Sequence, residues 1–172
     1  ISGGSYFSLA VKNDGTTYGW GNNGYRQLKY TSTTSYSTPV TIDTPSGWDS
    51  VATGNGHSLG IKTNGELWAW GNGGDGQIGN DSVYPYIYMY QVESETTWSA
   101  AMGGSMHTLA IKSDNTLWSW GQNSSGQLGD GTAWSTLPIE LYPAAETPET
   151  SDFPWILYNP IMTSAVKNNV SP

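Results

Sequence analysis

Short apolar runs alternate with turn-forming clusters along this chain, and the alternation reads as strands. Ser8-Leu9-Ala10-Val11-Lys12 is followed, after Asn13-Asp14-Gly15, by Tyr18-Gly19-Trp20-Gly21. The same order returns as Ser58-Leu59-Gly60-Ile61-Lys62, Thr63-Asn64-Gly65 and Trp68-Ala69-Trp70-Gly71, then as Thr108-Leu109-Ala110-Ile111-Lys112, Ser113-Asp114-Asn115 and Trp118-Ser119-Trp120-Gly121. Two such runs flanking a turn of Asn, Asp and Gly predict a β-hairpin. A three-residue loop of this kind holds its last residue in the left-handed region, where Gly is free and Asn the next most tolerant. Gly15, Gly65 and Asn115 therefore predict one turn used three times. That register sets Ala10 opposite Tyr18, Gly60 opposite Trp68 and Ala110 opposite Trp118. On the other face it sets Leu9, Leu59 and Leu109 opposite Gly19, Ala69 and Ser119.

The matched positions recur at a stride of fifty residues, as Lys12, Lys62 and Lys112 show. Gln27, Gln77 and Gln127 keep that stride, and Trp48 returns as Trp98. A fixed period of this length marks a repeat architecture. The repeats divide as 1–50, truncated because Ile1 aligns with Val51; 51–100; 101–150, with an insertion at its end; and a partial fourth, 151–172. The fourth is read from Trp155 and Thr163-Ser164-Ala165-Val166-Lys167, and the extra length falls between Ala144 and Pro154. Because both hairpin faces are built to pack, each sheet is predicted to lie sandwiched between neighbours. Radial stacking and linear stacking both satisfy that requirement.

A resemblance separates them. His57-Ser58-Leu59 through Lys62, Asn64-Gly65, Leu67 to Gly71 and Gly76-Gln77-Ile78-Gly79 resemble a repeat of the regulator-of-chromosome-condensation family. His107 to Lys112, Leu117 to Gly121 and Gly126-Gln127-Leu128-Gly129-Asp130-Gly131-Thr132 match it more closely still. The resemblance implies an all-β fold: a β-propeller of four-stranded antiparallel blades, usually about seven, with the sequence repeat offset from the blade. Three repeats and part of a fourth are too few to close such a ring. The expectation is an incomplete propeller, or part of a larger one, whose ends are covered by further chain or by a partner subunit. Leu9, Leu59, Leu109, Trp20, Trp70, Trp120, Gly21, Gly71, Gly121, Gln27, Gln77 and Gln127 are read as its structural repeat positions.

Composition narrows the function classes. Charged residues make up only 12% of the chain and the net charge is −8, so a phosphate backbone would be repelled and nucleic acid is not expected as a partner. The absence of cysteine excludes disulfides and thiolate sites. No apolar stretch approaches the ~18 residues of a membrane span.

Several residues invite chemical readings that their repeat positions answer. His57 and His107 stand where the first repeat has Phe7, and a position that accepts Phe is a packing position. Lys12, Lys62, Lys112 and Lys167 are equivalent to one another and read as solubilising residues at strand ends. The glycines after Trp20, Trp70 and Trp120 lack the following helix of a phosphate loop. Asp75, Asn80, Asp81 and Asp130 lack the alternating ligands of a calcium loop and read as turn residues. Asn80, Asn123 and Asn169 each open a glycosylation sequon, a pattern that chance supplies often in so Asn- and Ser-rich a chain. No cofactor or metal is expected.

Nonrepeated residues carry the functional signal, because the blade does not require them. Arg26 and Lys29 stand in one loop where the later repeats have Gly76, Gly126, Gly79 and Gly129. A locally different turn is the plainer reading of that change, and a partner contact the sharper one. Tyr84, Tyr86, Tyr88 and Tyr90 alternate, which predicts one face of a strand. Such a face suits either packing between blades or recognition of a protein or a glycan. No nucleophile, base and orienting acid assemble without borrowing repeat-equivalent residues, so an enzyme is not expected. The expected function is a non-catalytic structural or binding module of an extracellular, cell-surface or virion assembly, with a protein, further copies of the chain or a glycan as partner. The alternative, a guanine-nucleotide exchange regulator of a small GTPase, follows from the resemblance alone and lacks the family's basic tail.

Overall fold

The computed structural model describes residues 1–29, 31–42 and 46–142. The expected partial fourth repeat, with Trp155 and Lys167, and the insertion between Ala144 and Pro154 lie outside the described residues. Among the described residues twelve strands and no helix are present. They form three four-stranded sheets, each joined in chain order. The first holds β1 (Ser2–Gly3), β2 (Phe7–Val11), β3 (Thr17–Gly21) and β4 (Tyr36–Thr41). The second holds β5 (Trp48–Thr53), β6 (His57–Lys62), β7 (Leu67–Gly71) and β8 (Ile87–Gln91). The third holds β9 (Trp98–Gly103), β10 (His107–Lys112), β11 (Leu117–Gln122) and β12 (Trp134–Tyr142).

The central hairpins have the register that the turn chemistry predicts. Ala10 pairs with Tyr18, Gly60 with Trp68 and Ala110 with Trp118, all antiparallel. The turn residues Gly15, Gly65 and Asn115 have φ of 80°, 83° and 69°. Their amides donate to the carbonyls of Lys12, Lys62 and Lys112 at 2.9, 2.8 and 2.9 Å. Asn115 thus reproduces a Gly turn at the modest cost of a left-handed non-Gly residue.

The second sheet is covered on both faces. Phe7, Leu9, Leu28 and Ile42 of the first pack with Trp48 and Trp70 of the second. Leu59, Leu67, Ala69, Ile78 and Val92 on its other face pack with Trp98, Ala110 and Trp120 of the third. The outward faces of the first and third sheets are less covered: Trp20 and Leu109 are half-buried, whereas Trp70, Trp120, Leu9 and Leu59 are buried.

Polar groups lock each sheet to the next in the same way. The carbonyl of Gln27 accepts from Trp70 Nε1 at 2.8 Å and from Ser58 Oγ at 2.7 Å. The carbonyl of Gln77 accepts from Trp120 Nε1 at 3.0 Å and from Thr108 Oγ1 at 2.8 Å. Each Gln side chain braces its own loop, its Oε1 accepting from the amide of Tyr25, Asp75 or Ser125. Gly71 and Gly121 end the hairpins at φ of 102° and 106°, and an added Cβ there would lie 2.7 Å from the carbonyl oxygens of Gly56 and Met106.

Two readings change. The lysines at strand ends are not simply solvated. Lys12, Lys62 and Lys112 lie over the cross-strand rings of Tyr18, Trp68 and Trp118 at 5.0, 4.6 and 3.8 Å. Lys112 is buried, with Nζ 2.6 Å from Glu95 and 3.3 Å from Glu93. Secondly, β8 begins at Ile87, so only Tyr88 and Tyr90 share a strand face, while Tyr84 and Tyr86 lie in the preceding loop. Pro85 explains the late start, since it has no N–H to offer the neighbouring strand.

Candidate functional site

The loop between β3 and β4 and the loop leading into β8 come together on the surface between the first two sheets. Arg26 sits at their meeting point. Its φ is 64°, matching 78° and 76° at Gly76 and Gly126. Its amide donates to the carbonyl of Asn23 at 3.0 Å, as Gly76 does to Gly73 at 3.0 Å and Gly126 to Asn123 at 3.2 Å. The turn is therefore unchanged at this position, and a large side chain occupies a conformation that Gly takes freely elsewhere. At Lys29 the loop does diverge: Gly79 and Gly129 have φ of 80° and 76°, whereas Lys29 is not left-handed.

From that position Arg26 reaches across to the second sheet. Its Nη1 donates to the Tyr88 hydroxyl at 3.0 Å. Its guanidinium carbon lies 5.8 Å from the Tyr86 ring centre and 5.4 Å from that of Tyr88, within reach of a cation–π attraction. Tyr86 in turn leans on Tyr25 at 6.1 Å with a 31° tilt. Tyr25 itself lies over Gly56, where an added Cβ would come within 3.0 Å of its ring. These rings remain accessible, at 42% for Tyr25, 48% for Tyr86 and 59% for Tyr88. Buried Arg26 Nε meets no acceptor, and no ion pair reaches Arg26 among the described residues.

The structure thus divides the residues that the sequence groups together. Arg26, Tyr86 and Tyr88 converge. Lys29 turns to Tyr36 within its own sheet, at 6.0 Å. Tyr84 and Tyr90 are exposed beside the cluster, with no ring contact to it. Tyr25 belongs to the cluster and was not among the candidates; its signal is that it stands where the later repeats have Asp75 and Ser125.

The other chemically suggestive groups are occupied within the fold. Thr108 Oγ1 gives its proton to the Gln77 carbonyl, so at 3.2 Å it accepts from His57 Nε2–H. Burial first, and the neighbouring His107 second, push the His57 pKa down to about 3, and the ring stays neutral. Asp130 accepts from Thr132 and Asn123, and those hydrogen bonds, Thr132 first, hold its carboxyl below the usual range. Asp81 accepts from Thr136 Oγ1 at 2.8 Å. Among the described residues no three His, Asp or Glu side chains converge as a metal site would require.

Stacked four-stranded meanders, latched strand-to-loop and carrying an exposed aromatic surface between them, define blades of a β-propeller with a surface for contacts. Models of the regulator of chromosome condensation (RCC1) repeat match residues 48–77 and 101–127, and residues 14–61, and the chain belongs to this repeat family. No curated protein matches it in sequence. Among solved structures, human WBSCR16 superposes with a TM-score of 0.72 at 22% identity, over 82% of this chain and 39% of that one. Prp20p from Saccharomyces cerevisiae, described with its binding properties to Gsp1p and histones, superposes at 0.70 and 20% identity, over 82% and 37%. Yeast RCC1 (Prp20) bound to Kap60 gives 0.70 and 20%, over 82% and 36%. The chain spans under two fifths of each, and the likeness establishes the propeller fold.

Proposed function

We propose that this chain is a non-catalytic binding module whose propeller blades present Tyr25, Arg26, Tyr86 and Tyr88 to a protein partner within an extracellular, cell-surface or virion assembly. One observation carries the reading: these side chains come from two blades, none is required by the repeat, and they cluster while staying exposed. Tyrosine and arginine are the residues that concentrate binding energy at protein interfaces. The low charge and the abundance of Tyr, Thr, Asn and Gly support the extracellular setting. The test is the structure of the assembly isolated from its source. Partner density over Tyr86 and Tyr88 is expected; bulk solvent over both in the assembled state would overturn the reading.

A second reading is regulation of guanine-nucleotide exchange. Family membership favours it, together with the likeness to Prp20p, which is described as binding Gsp1p. A nucleotide-release assay separates the two, with no acceleration expected from a module that only docks.

A further inference from the structure

We infer that Arg26 is a subsite for a carboxylate, so that the partner at this surface is a protein segment that presents one Asp or Glu side chain to it. The inference rests on the reading of the surface given above and names the chemistry it selects.

Three observations lead to it. The first is conformational. Arg26 holds φ of 64° in a turn where Gly76 and Gly126 sit without penalty, so the fold is served better by glycine at this position. A bulky residue kept in a left-handed conformation needs a gain elsewhere. Its contacts with Tyr86 and Tyr88 supply part of that gain within the chain.

The second is electrostatic. Arg26 is the sole arginine in a chain of net charge −8. Of the other cations, Lys62 pairs with Glu66 at 2.8 Å and Lys112 with Glu95 at 2.6 Å. Arg26 has no such partner among the described residues, and one hydrogen bond to a neutral phenol leaves most of its planar fork unused. That fork matches a carboxylate in geometry and charge, and the surrounding rings lower the local dielectric in which the pair would form.

The third favours a protein over a sugar. A neutral sugar needs an open ring face on which to stack. One face of Tyr86 and one of Tyr88 are taken by the guanidinium, and Tyr25 leans against Tyr86 at a 31° tilt. The cluster therefore offers phenol hydroxyls and a cation within an aromatic frame. This composition is that of a protein hot spot around a charged anchor.

The test pans a phage-displayed random peptide library on the whole chain and measures the affinity of the enriched peptides for the parent, Arg26→Gly and Tyr88→Ala chains. Enriched peptides are expected to share an Asp or Glu. Arg26→Gly is expected to weaken them by about tenfold or more while its melting temperature is no lower than the parent's, because glycine fits this turn. Exchanging the shared acid for its amide should weaken binding to the parent to a similar extent and binding to Arg26→Gly little. Peptides lost with Tyr88→Ala but indifferent to Arg26→Gly would leave the surface in place and overturn the carboxylate subsite. Peptides indifferent to both variants, or no enrichment at all, would overturn subsite and surface together. Neutral oligosaccharides that bind equally well to the parent and Arg26→Gly chains would also overturn the assignment.

Discussion

The indole Nε1–H of Trp70 donates to the main-chain carbonyl of Gln27, forty-three residues earlier, at 2.8 Å. Trp120 repeats the contact with Gln77 across the same separation, at 3.0 Å. A buried carbonyl with two lone pairs is satisfied in both places by an indole and a hydroxyl from the following blade, which couples the blade interface to hydrogen bonds that water cannot easily replace.

Because Ser58 and Trp70 share one acceptor, their removal should not be additive. Ser58→Ala alone is expected to cost about 1 kcal/mol, since the indole still satisfies the carbonyl. Combining it with Trp70→Phe strands the buried oxygen, and the double variant should exceed the sum of the singles by roughly 1 kcal/mol or more. Trp20→Phe, whose ring is only half-buried and has no hydrogen bond among the described residues, should cost much less than Trp70→Phe. Urea unfolding of the parent and the four variants measures each term.

The neutral His57 makes stability depend on pH. Its folded pKa of about 3 lies below the ordinary 6.5, so between those values the unfolded chain binds the proton that the folded chain refuses. The contribution is whole above pH 6.5 and is lost as pH falls towards 3, with a slope approaching about 1.4 kcal/mol per pH unit. His57→Phe copies Phe7 of the first repeat and should flatten that part of the profile. Parent and variant denaturation midpoints falling in parallel from pH 7 to pH 4.5 would contradict the assignment.

Lys112 combines stacking with pairing. Burial alone would lower its pKa, but the hydrogen bonds to Glu95 and Glu93, and their charges, hold it above the ordinary value. Lys112→Ala should cost about 2 kcal/mol, because it removes a stem and cation packed on Trp98 and Trp118. Glu95→Gln should cost under about 1 kcal/mol, since Glu95 is half exposed and solvent screens the pair. Thermal melts at low and high salt distinguish the two, with the Glu95→Gln effect shrinking in salt by the larger fraction.

The hairpin turn offers a paired test of backbone strain. Asn115→Gly relieves a left-handed residue and should be neutral or stabilising by up to about 1 kcal/mol. Gly65→Ala adds that strain and drives a Cβ into the carbonyl group of Thr96, for a loss of about 2 kcal/mol or more. Differential scanning calorimetry should rank the melting temperatures of these chains accordingly.

The hairpins, their register and the threefold use of one turn were legible in the chain because they are local: pairing of period two and the left-handed demand of the last loop residue fall within about fifteen residues. Arg26 shows where that reading stops. Its replacement of a glycine suggested a different turn, yet φ of 64° preserves the turn, and the consequence appears sixty-two residues away at Tyr88. Lys29 shared its loop and its sign and still went elsewhere, to Tyr36.

By itself the amino-acid order determined the central hairpins, the fifty-residue stride and the family, since each is written in the order of residues along the chain. Only the stacking of blades decided that Leu9 is covered while Leu109 is half-open, and that Tyr25, Arg26, Tyr86 and Tyr88 share one surface. The reason is physical: a residue's pattern states which face of its strand it occupies, whereas the group opposite that face is supplied by another blade, at a distance set by packing.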